Sequence, residues 1–136
     1  MATNSSERQP GKLKALVLAR KVANHTLVVT ANDKIFIPKY QKLTDKIIDS
    51  AVSIATASWA ANNIAVSSRQ DWLERSHLQK ASITQCRVLL GLIEIARPQF
   101  HLRLNKVKYW GKLIVEAKAY LIAWHKSDNL RYNKMP

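Results

Sequence analysis

The chain has 136 residues, and its 22 Lys and Arg against nine Asp and Glu give it a formal charge of +13 at pH 7. Hydrophobic residues make up 47% of it, enough for one domain with a real core, while a single cysteine excludes an internal disulfide framework and fits a reducing compartment. Because so much like charge opposes folding, we expect an anionic partner, of which nucleic acid is the commonest. The alternative is that the surplus lysines only keep the protein soluble.

The first segment, residues 1–11, is polar and ends in the breaker pair Pro10-Gly11, which predicts a flexible tail. It lacks the apolar run of a signal peptide, so we expect a cytoplasmic protein. A first helix is predicted from about Lys12 to Asn32, where apolar residues recur every three or four positions.

A second helix is predicted over about 38–65, with Pro38 in its first turn, where a missing N–H is tolerated. It carries two apolar stripes, one of which ends at Trp59, and two stripes require two packing neighbours, inside a bundle or between subunits. The uncharged stretch 50–68 is rich in Ser, Thr and Ala, which favours a buried helix over a membrane span.

The third helix is predicted to start at a capping-box-like pair and to run to about Ala96. Its end is predicted there because the residue before Pro98 avoids helical backbone angles. Two pairs have the capping spacing, Ser67 with Gln70 and Ser68 with Asp71.

The fourth helix is predicted to begin after an N-cap at Asn105 and to run to about Lys126. Residues 128–136 then form a basic tail in this prediction. Gly91 and Gly111 are isolated glycines within helices, and we expect them to permit close helix packing.

Four long helices with mostly short connections predict an all-α protein, an antiparallel up-down-up-down four-helix bundle formed by residues 12–127. We expect a single domain that forms oligomers, with no membrane partner.

The strongest catalytic candidate is Glu74-x-x-His77, which is half of a di-iron carboxylate site in a four-helix bundle. A second such pair is missing, and the four histidines have no zinc-ligand spacing. Cys86 lies in the middle of a predicted apolar helix and is expected to be a core residue. We therefore predict a protein that is not an enzyme and that holds no metal or cofactor.

The basic residues predict two surfaces for phosphate contacts, which hold nucleic acid without reading its sequence. The first surface lies at the start of the second helix, and the second lies at the third connection and the start of the fourth helix. Their members are Lys39, Lys42 and Lys46 on the first, and Arg97, Arg103, Lys106, Lys108 and Lys112 on the second. Tyr109 and Tyr132 are candidates for stacking on bases, whereas Trp110 and Trp124 are expected in the core.

Three segments resemble a known superfamily of small four-helix bundles. They are PKYQKLTDKIIDSAVSIATASWAAN (38–62), ASITQCRVLLGLIEIAR (81–97) and YWGKLIVEAKAYLIAWHKS (109–127). Each resembles one helix of the proteins that include the rRNA intervening-sequence-encoded proteins and the accessory variability determinants of diversity-generating retroelements. The likeness covers about residues 12–127, and its motifs are dominated by core periodicity.

Within that superfamily, the strongly basic chain is most similar to the retroelement accessory proteins. The resemblance implies a noncatalytic subunit that assembles as a pentamer, binds RNA or an RNA–DNA hybrid, and binds a reverse transcriptase that copies a template RNA. Two other functions stay open on the sequence. One is an oligomeric interaction module with an acidic protein partner, and the other is a di-metal oxidase.

Overall fold

The computed structural model describes residues 10–136 of the chain, and this part is entirely helical. It contains four α-helices and a single turn of 3₁₀ helix, and no strand occurs in the described part. The helices are α1 (Pro10–Thr30), α2 (Gln41–Asn62), α3 (Arg69–Gln99) and α4 (Leu104–Tyr132), and the 3₁₀ turn (Pro38–Tyr40) precedes α2. Residues 1–9, most of the predicted N-terminal tail, lie outside the described residues. The predicted tail also included Pro10 and Gly11, and this part is wrong, because α1 begins at Pro10.

Each helix packs against the helices before and after it in the chain, and α1 also packs against α4. The largest fully buried apolar side chains come from α2, α3 and α4, and they form one core. They are Ile47, Ile54, Leu89, Trp110, Ile114 and Leu121. The all-α prediction is therefore confirmed, and the arrangement is compatible with a helical bundle.

Small polar side chains line the buried contact between α2 and α3. The hydroxyl of Ser82 donates to the backbone carbonyl of Ile54 at 2.7 Å, and that of Ser50 lies 2.9 Å from Oε1 of Gln85. Each buried hydroxyl thus has a partner, which removes the penalty of desolvating it. Trp59, at the end of one predicted apolar stripe of this helix, is 67% exposed, so no neighbour within the described chain covers it. The alternative that this stripe packs between subunits stays a prediction. No described helix has both the length and the apolar character that a membrane crossing requires.

The start of α3 follows one of the two predicted caps. The hydroxyl of Ser68 accepts from the backbone N–H of Asp71 at 3.1 Å. The Asp71 carboxylate accepts in turn from the backbone N–H and the hydroxyl of Ser67, at 3.0 and 2.9 Å. These bonds, led by the one from the Ser67 backbone, hold the pKa of Asp71 below its usual value.

Several predicted helix boundaries are wrong. The second helix, predicted over 38–65, begins at Gln41 after the 3₁₀ turn and ends at Asn62. Pro98 lies inside α3, which continues to Gln99 because the Phe100 N–H still reaches the Ala96 carbonyl at 2.9 Å and closes the last turn. Asn105 is already helical, since Arg103 is the N-cap of α4. In addition, α4 runs past the predicted end at Lys126 to Tyr132 and takes in part of the predicted basic tail.

The expected role of the two helical glycines is also wrong. A Cβ atom added at Gly91 or Gly111 would find no heavy atom within 4 Å, so neither position marks a close approach of helices.

A buried ion pair explains why α4 extends into the predicted tail. Asp128 is completely buried, and its Oδ2 accepts from Nη2 of Arg75 at 2.8 Å and from Nε2 of Gln79 at 2.8 Å. Nε of Arg75 donates to the same Asp128 oxygen at 2.9 Å, and Nη1 donates to the backbone carbonyl of Ile64 at 3.1 Å. One guanidinium therefore joins α3, the end of α4 and the connection between α2 and α3.

We expect Asp128→Asn to destabilise the protein by about 3–5 kcal/mol, because it leaves the Arg75 guanidinium buried without its counter-charge. The free energy of unfolding from urea denaturation measures the effect. The matched control is Asp45→Asn, which removes an exposed carboxylate on α2 and is expected to change stability by less than about 0.5 kcal/mol. Equal losses in the two variants would contradict the assigned role of Asp128.

Candidate functional site

Aromatic side chains from two separate connections meet at one end of the molecule. The ring of Phe36, from the connection between α1 and α2, lies 4.6 Å from the ring of Phe100 at the end of α3. Phe100 also contacts Tyr40 at 5.8 Å, and Phe36 contacts Trp110 of α4 at 6.4 Å. Phe36, Phe100 and Trp110 are all buried, so this cluster fixes the two connections side by side.

This contact makes neighbours of the two basic surfaces that the sequence predicted separately. Lys39 precedes Tyr40, and its Nζ lies 5.5 Å from the centre of that ring. Arg97 and Arg103 flank Phe100 in the chain, and both are exposed. We call this region the basic end and define it by its exposed cations, Lys34, Lys39, Arg97, Arg103 and Lys106.

The remaining predicted cations continue the basic end along two helices. Lys42 and Lys46 follow on α2, and Lys108 and Lys112 follow on α4, all of them exposed. At a rise of about 1.5 Å per residue, Lys46 lies roughly 10 Å along the helix from Lys39. Lys34 was missing from the predicted set, because it stands in a connection without helical periodicity.

A cleft of about 880 Å³ opens at the basic end between α1, the first connection and the start of α4. Its described lining combines apolar side chains with cations and contains no carboxylate. The lining includes the apolar Val28, Ile35 and Phe100 and the basic Lys34, Arg103 and Lys106.

Tyr109 stands at the border between this cleft and a smaller hollow of about 420 Å³ that includes Arg20 and Lys21. Tyr109 is 51% exposed, and its ring lies 5.1 Å from the ring of His25 in an edge-to-face contact. The next residue, Trp110, is buried, and its Nε1 donates to the hydroxyl of Thr26 at 3.0 Å. That bond anchors the start of α4 to α1 and so fixes the position of Tyr109.

The electrostatic environment of the cleft is positive, because Lys34, Arg103 and Lys106 line it and its described lining contains no carboxylate. Burial lowers the pKa of His25, and the nearby charges of Lys106 and Lys21 lower it further. The pKa of His25 is therefore lower in the folded protein than in the unfolded chain. As the pH falls from above the unfolded-chain pKa to below the folded-state pKa, the unfolded chain binds a proton at His25 more readily, and this favours unfolding. An anion bound in the cleft would raise the pKa of His25, opposite to the effect of the lysines.

His101, which also lines the cleft, has the left-handed backbone conformation that non-glycine residues seldom adopt, with φ of 52°. It reverses the chain directly after α3, and the N–H of Leu102 then donates to the Arg97 carbonyl at 3.0 Å. This is the longer bond of a Schellman motif, which satisfies a carbonyl at the helix end. The reversal allows α4 to begin only a few residues after α3 ends, with Arg103 at the rim of the cleft.

The catalytic candidates do not come together. Glu74 and His77 are exposed, and among residues 10–136 no group of three or more His, Cys, Asp or Glu is placed to hold a metal ion. Cys86 is buried, as predicted, and burial raises the pKa of its thiol to about 12, so it stays protonated at neutral pH.

One polar pair was not anticipated from the sequence. The hydroxyl of Ser76 lies 2.9 Å from Nε2 of His125, an arrangement that resembles a nucleophile with its base. However, Asp128, the nearby acid, is bound to Arg75 and Gln79 instead. The His125 ring is stacked on Trp72 at 5.8 Å, and burial, followed by the charge of Lys80, lowers its pKa. The pair therefore serves the packing of α3 against α4.

Two other predicted aromatic residues, Trp124 and Tyr132, lie away from the basic end. Trp124 is buried, as predicted, and so is Trp110. Tyr132, a predicted stacking residue, is half-buried at the end of α4, with its ring 5.7 Å from Trp72. Tyr109 is thus the predicted stacking residue that the structure brings to the cations.

No protein-family model, curated protein or solved structure matches the chain.

We expect Lys106→Ala to raise the pKa of His25 toward, but not to, its usual value, because one repelling charge is lost while burial persists. Following the His25 ring protons by NMR through a pH titration measures the shift. The matched control is Lys108→Ala, which removes an exposed lysine two positions away. An equal shift in both variants would contradict a local effect of Lys106.

Proposed function

We propose that this protein is a noncatalytic nucleic-acid-binding subunit that holds RNA or an RNA–DNA hybrid at its basic end. The observation that carries the proposal is the convergence of cations from two parts of the chain around a cleft without a carboxylate. A polyanion bound there would relieve the repulsion between these charges, and phosphates are its best-matched groups.

The charges are arranged for contact with a backbone instead of a single small anion. Lys39, Lys42 and Lys46 recur every three or four residues along α2, and Lys108 and Lys112 do so along α4. Because these lysines are exposed on helices that lead away from the cleft, a strand could follow either row. Contacts of this kind bind phosphates whatever the base sequence.

We also infer that the helices alternate in direction, as an up-down-up-down bundle. In support, Ser50 contacts Gln85 while Ser82 contacts Ile54, so residue numbers rise along α2 as they fall along α3.

Assembly as a homo-oligomer, with a pentamer as the expected form, and binding to a reverse transcriptase in a diversity-generating retroelement are proposed from the family resemblance. The exposed Trp59 and Leu130 give the surface apolar side chains for protein contacts. The buried Cys86 thiol is compatible with a cytoplasmic location.

We expect Arg103→Glu/Lys106→Glu to weaken binding of a 20-nucleotide RNA, alone or paired with DNA, by at least about tenfold at moderate salt. The slope of log affinity against log salt should also become less steep by roughly 1 to 2, because a phosphate contact that is lost no longer releases counterions on binding. Fluorescence anisotropy over a series of salt concentrations measures both quantities.

The matched control is Lys14→Glu/Lys126→Glu, which lowers the formal charge equally, from +13 to +9, at exposed positions near the start of α1 and late in α4. It should leave most of the affinity in place. Equal losses of affinity in both double variants would show that only the net charge matters, and not the position of the cations. Absence of salt-dependent binding by the unmodified protein, together with binding to an acidic protein, would instead support the protein-interaction module.

A further inference from the structure

We propose that the cleft at the basic end accepts an unpaired base of a single strand, while the cations of its rim hold the adjoining phosphates. The inference rests on the proposed function and adds a preference for unpaired over fully paired nucleic acid. The volume of the cleft, the chemistry of its lining and the position of Tyr109 support it.

The cleft is large enough for a nucleotide, and much of its lining is apolar. Its volume of about 880 Å³ falls within the roughly 300–1,000 Å³ of ordinary ligand sites. Two apolar side chains in its lining are left open to solvent, Val28 at 74% and Ile35 at 43% exposure. A base that covered them would remove this apolar surface from water.

The rim complements a phosphate. Lys34, Arg103 and Lys106 contribute three cations from two connections and the start of α4, and no acidic side chain of the described lining opposes them. A ligand that satisfies the whole cleft must therefore combine a flat apolar face with an adjacent anion. A nucleotide has both features.

Tyr109 supplies the contact that separates a base from other anionic ligands. Its half-exposed ring is held edge-on by His25 and fixed in place by the neighbouring Trp110–Thr26 hydrogen bond. Aromatic rings stack on any unpaired base, whereas the bases of a duplex are already stacked on each other. An acidic peptide would match the charges, but its carboxylates have no flat apolar face for the ring.

The test compares a fluorescent 12-nucleotide RNA with the same strand in a blunt duplex, using Tyr109→Leu and Tyr109→Phe. We expect the unmodified protein to prefer the single strand, and Tyr109→Leu to lose at least about fivefold of single-strand affinity while duplex binding stays nearly constant. Tyr109→Phe keeps the aromatic ring and should retain the preference. The positional control is Tyr120→Leu, which removes another partly exposed tyrosine of α4.

NMR of the Val28 and Ile35 methyl groups gives a second, direct measurement. We expect their signals to shift when the single strand is added, owing to the ring current of a nearby base, and to stay nearly unchanged with the duplex or with pyrophosphate. Circular dichroism melting curves verify that the variants are folded.

The outcomes separate the two proposals. If neither nucleic acid binds the unmodified protein with salt dependence, the proposed function fails and this inference fails with it. If both bind but Tyr109→Leu has no effect, or weakens both equally, only the unpaired-base site is overturned. Displacement of the single strand by polyglutamate as effectively as by unlabelled strand would also overturn it.

Discussion

The packing of Phe36 against Phe100 is the contact on which the arrangement of the basic end depends. The two rings belong to connections more than sixty residues apart in the chain, and their centres lie 4.6 Å apart. The exposed cations of the basic end belong to the same two connections and the helix ends beside them. Repulsion between these cations opposes the contact. Buried aromatic pairs contribute about 0.5–1.5 kcal/mol beyond the area they remove from water, and this cluster has several. An apolar contact thus holds a charged surface together.

At the opposite end of α3, a positive charge is buried and paired instead of being exposed as at the basic end. With 31 residues, α3 extends about 45 Å, and near its start the Arg75 guanidinium is neutralised inside the protein by Asp128. The second Asp128 oxygen and the amide oxygen of Gln79 are buried there without a described hydrogen-bond partner, so part of the gain from the ion pair is offset by desolvation. The formal charge of the chain therefore overstates what is available to a ligand, and location in the fold decides which cations can act.

Hydrophobic periodicity was sufficient to predict the four helices and the burial of Trp110, Trp124 and Cys86. Periodicity failed to predict a helix end that depends on a partner far away in the sequence. Asp128 looks like a solvated tail residue in isolation, because its partner Arg75 is 53 positions away. Periodicity places Trp59 on an apolar face, but it does not show whether that face packs within the chain or against another subunit.

The candidate site was predictable only in part, for the same reason. Helical spacing predicts rows of lysine on each helix. It does not predict that the two basic surfaces lie side by side, because this depends on aromatic contacts between distant parts of the chain. Lys34 and His25 follow no pattern that marks them. One signal was available: Phe36 and Phe100 are apolar aromatic residues within predicted connections, and such residues seldom remain in solvent.

The state of Cys86 has a practical consequence for studying this surface. It is the single cysteine of the chain, it is buried, and its thiol stays protonated at neutral pH. Thiol reagents attack the thiolate, so the natural protein should be inert toward them while folded. A cysteine introduced at any exposed position would then be the one reactive group, and spectroscopic probes or crosslinkers can be attached around the cleft without first replacing Cys86 in the core.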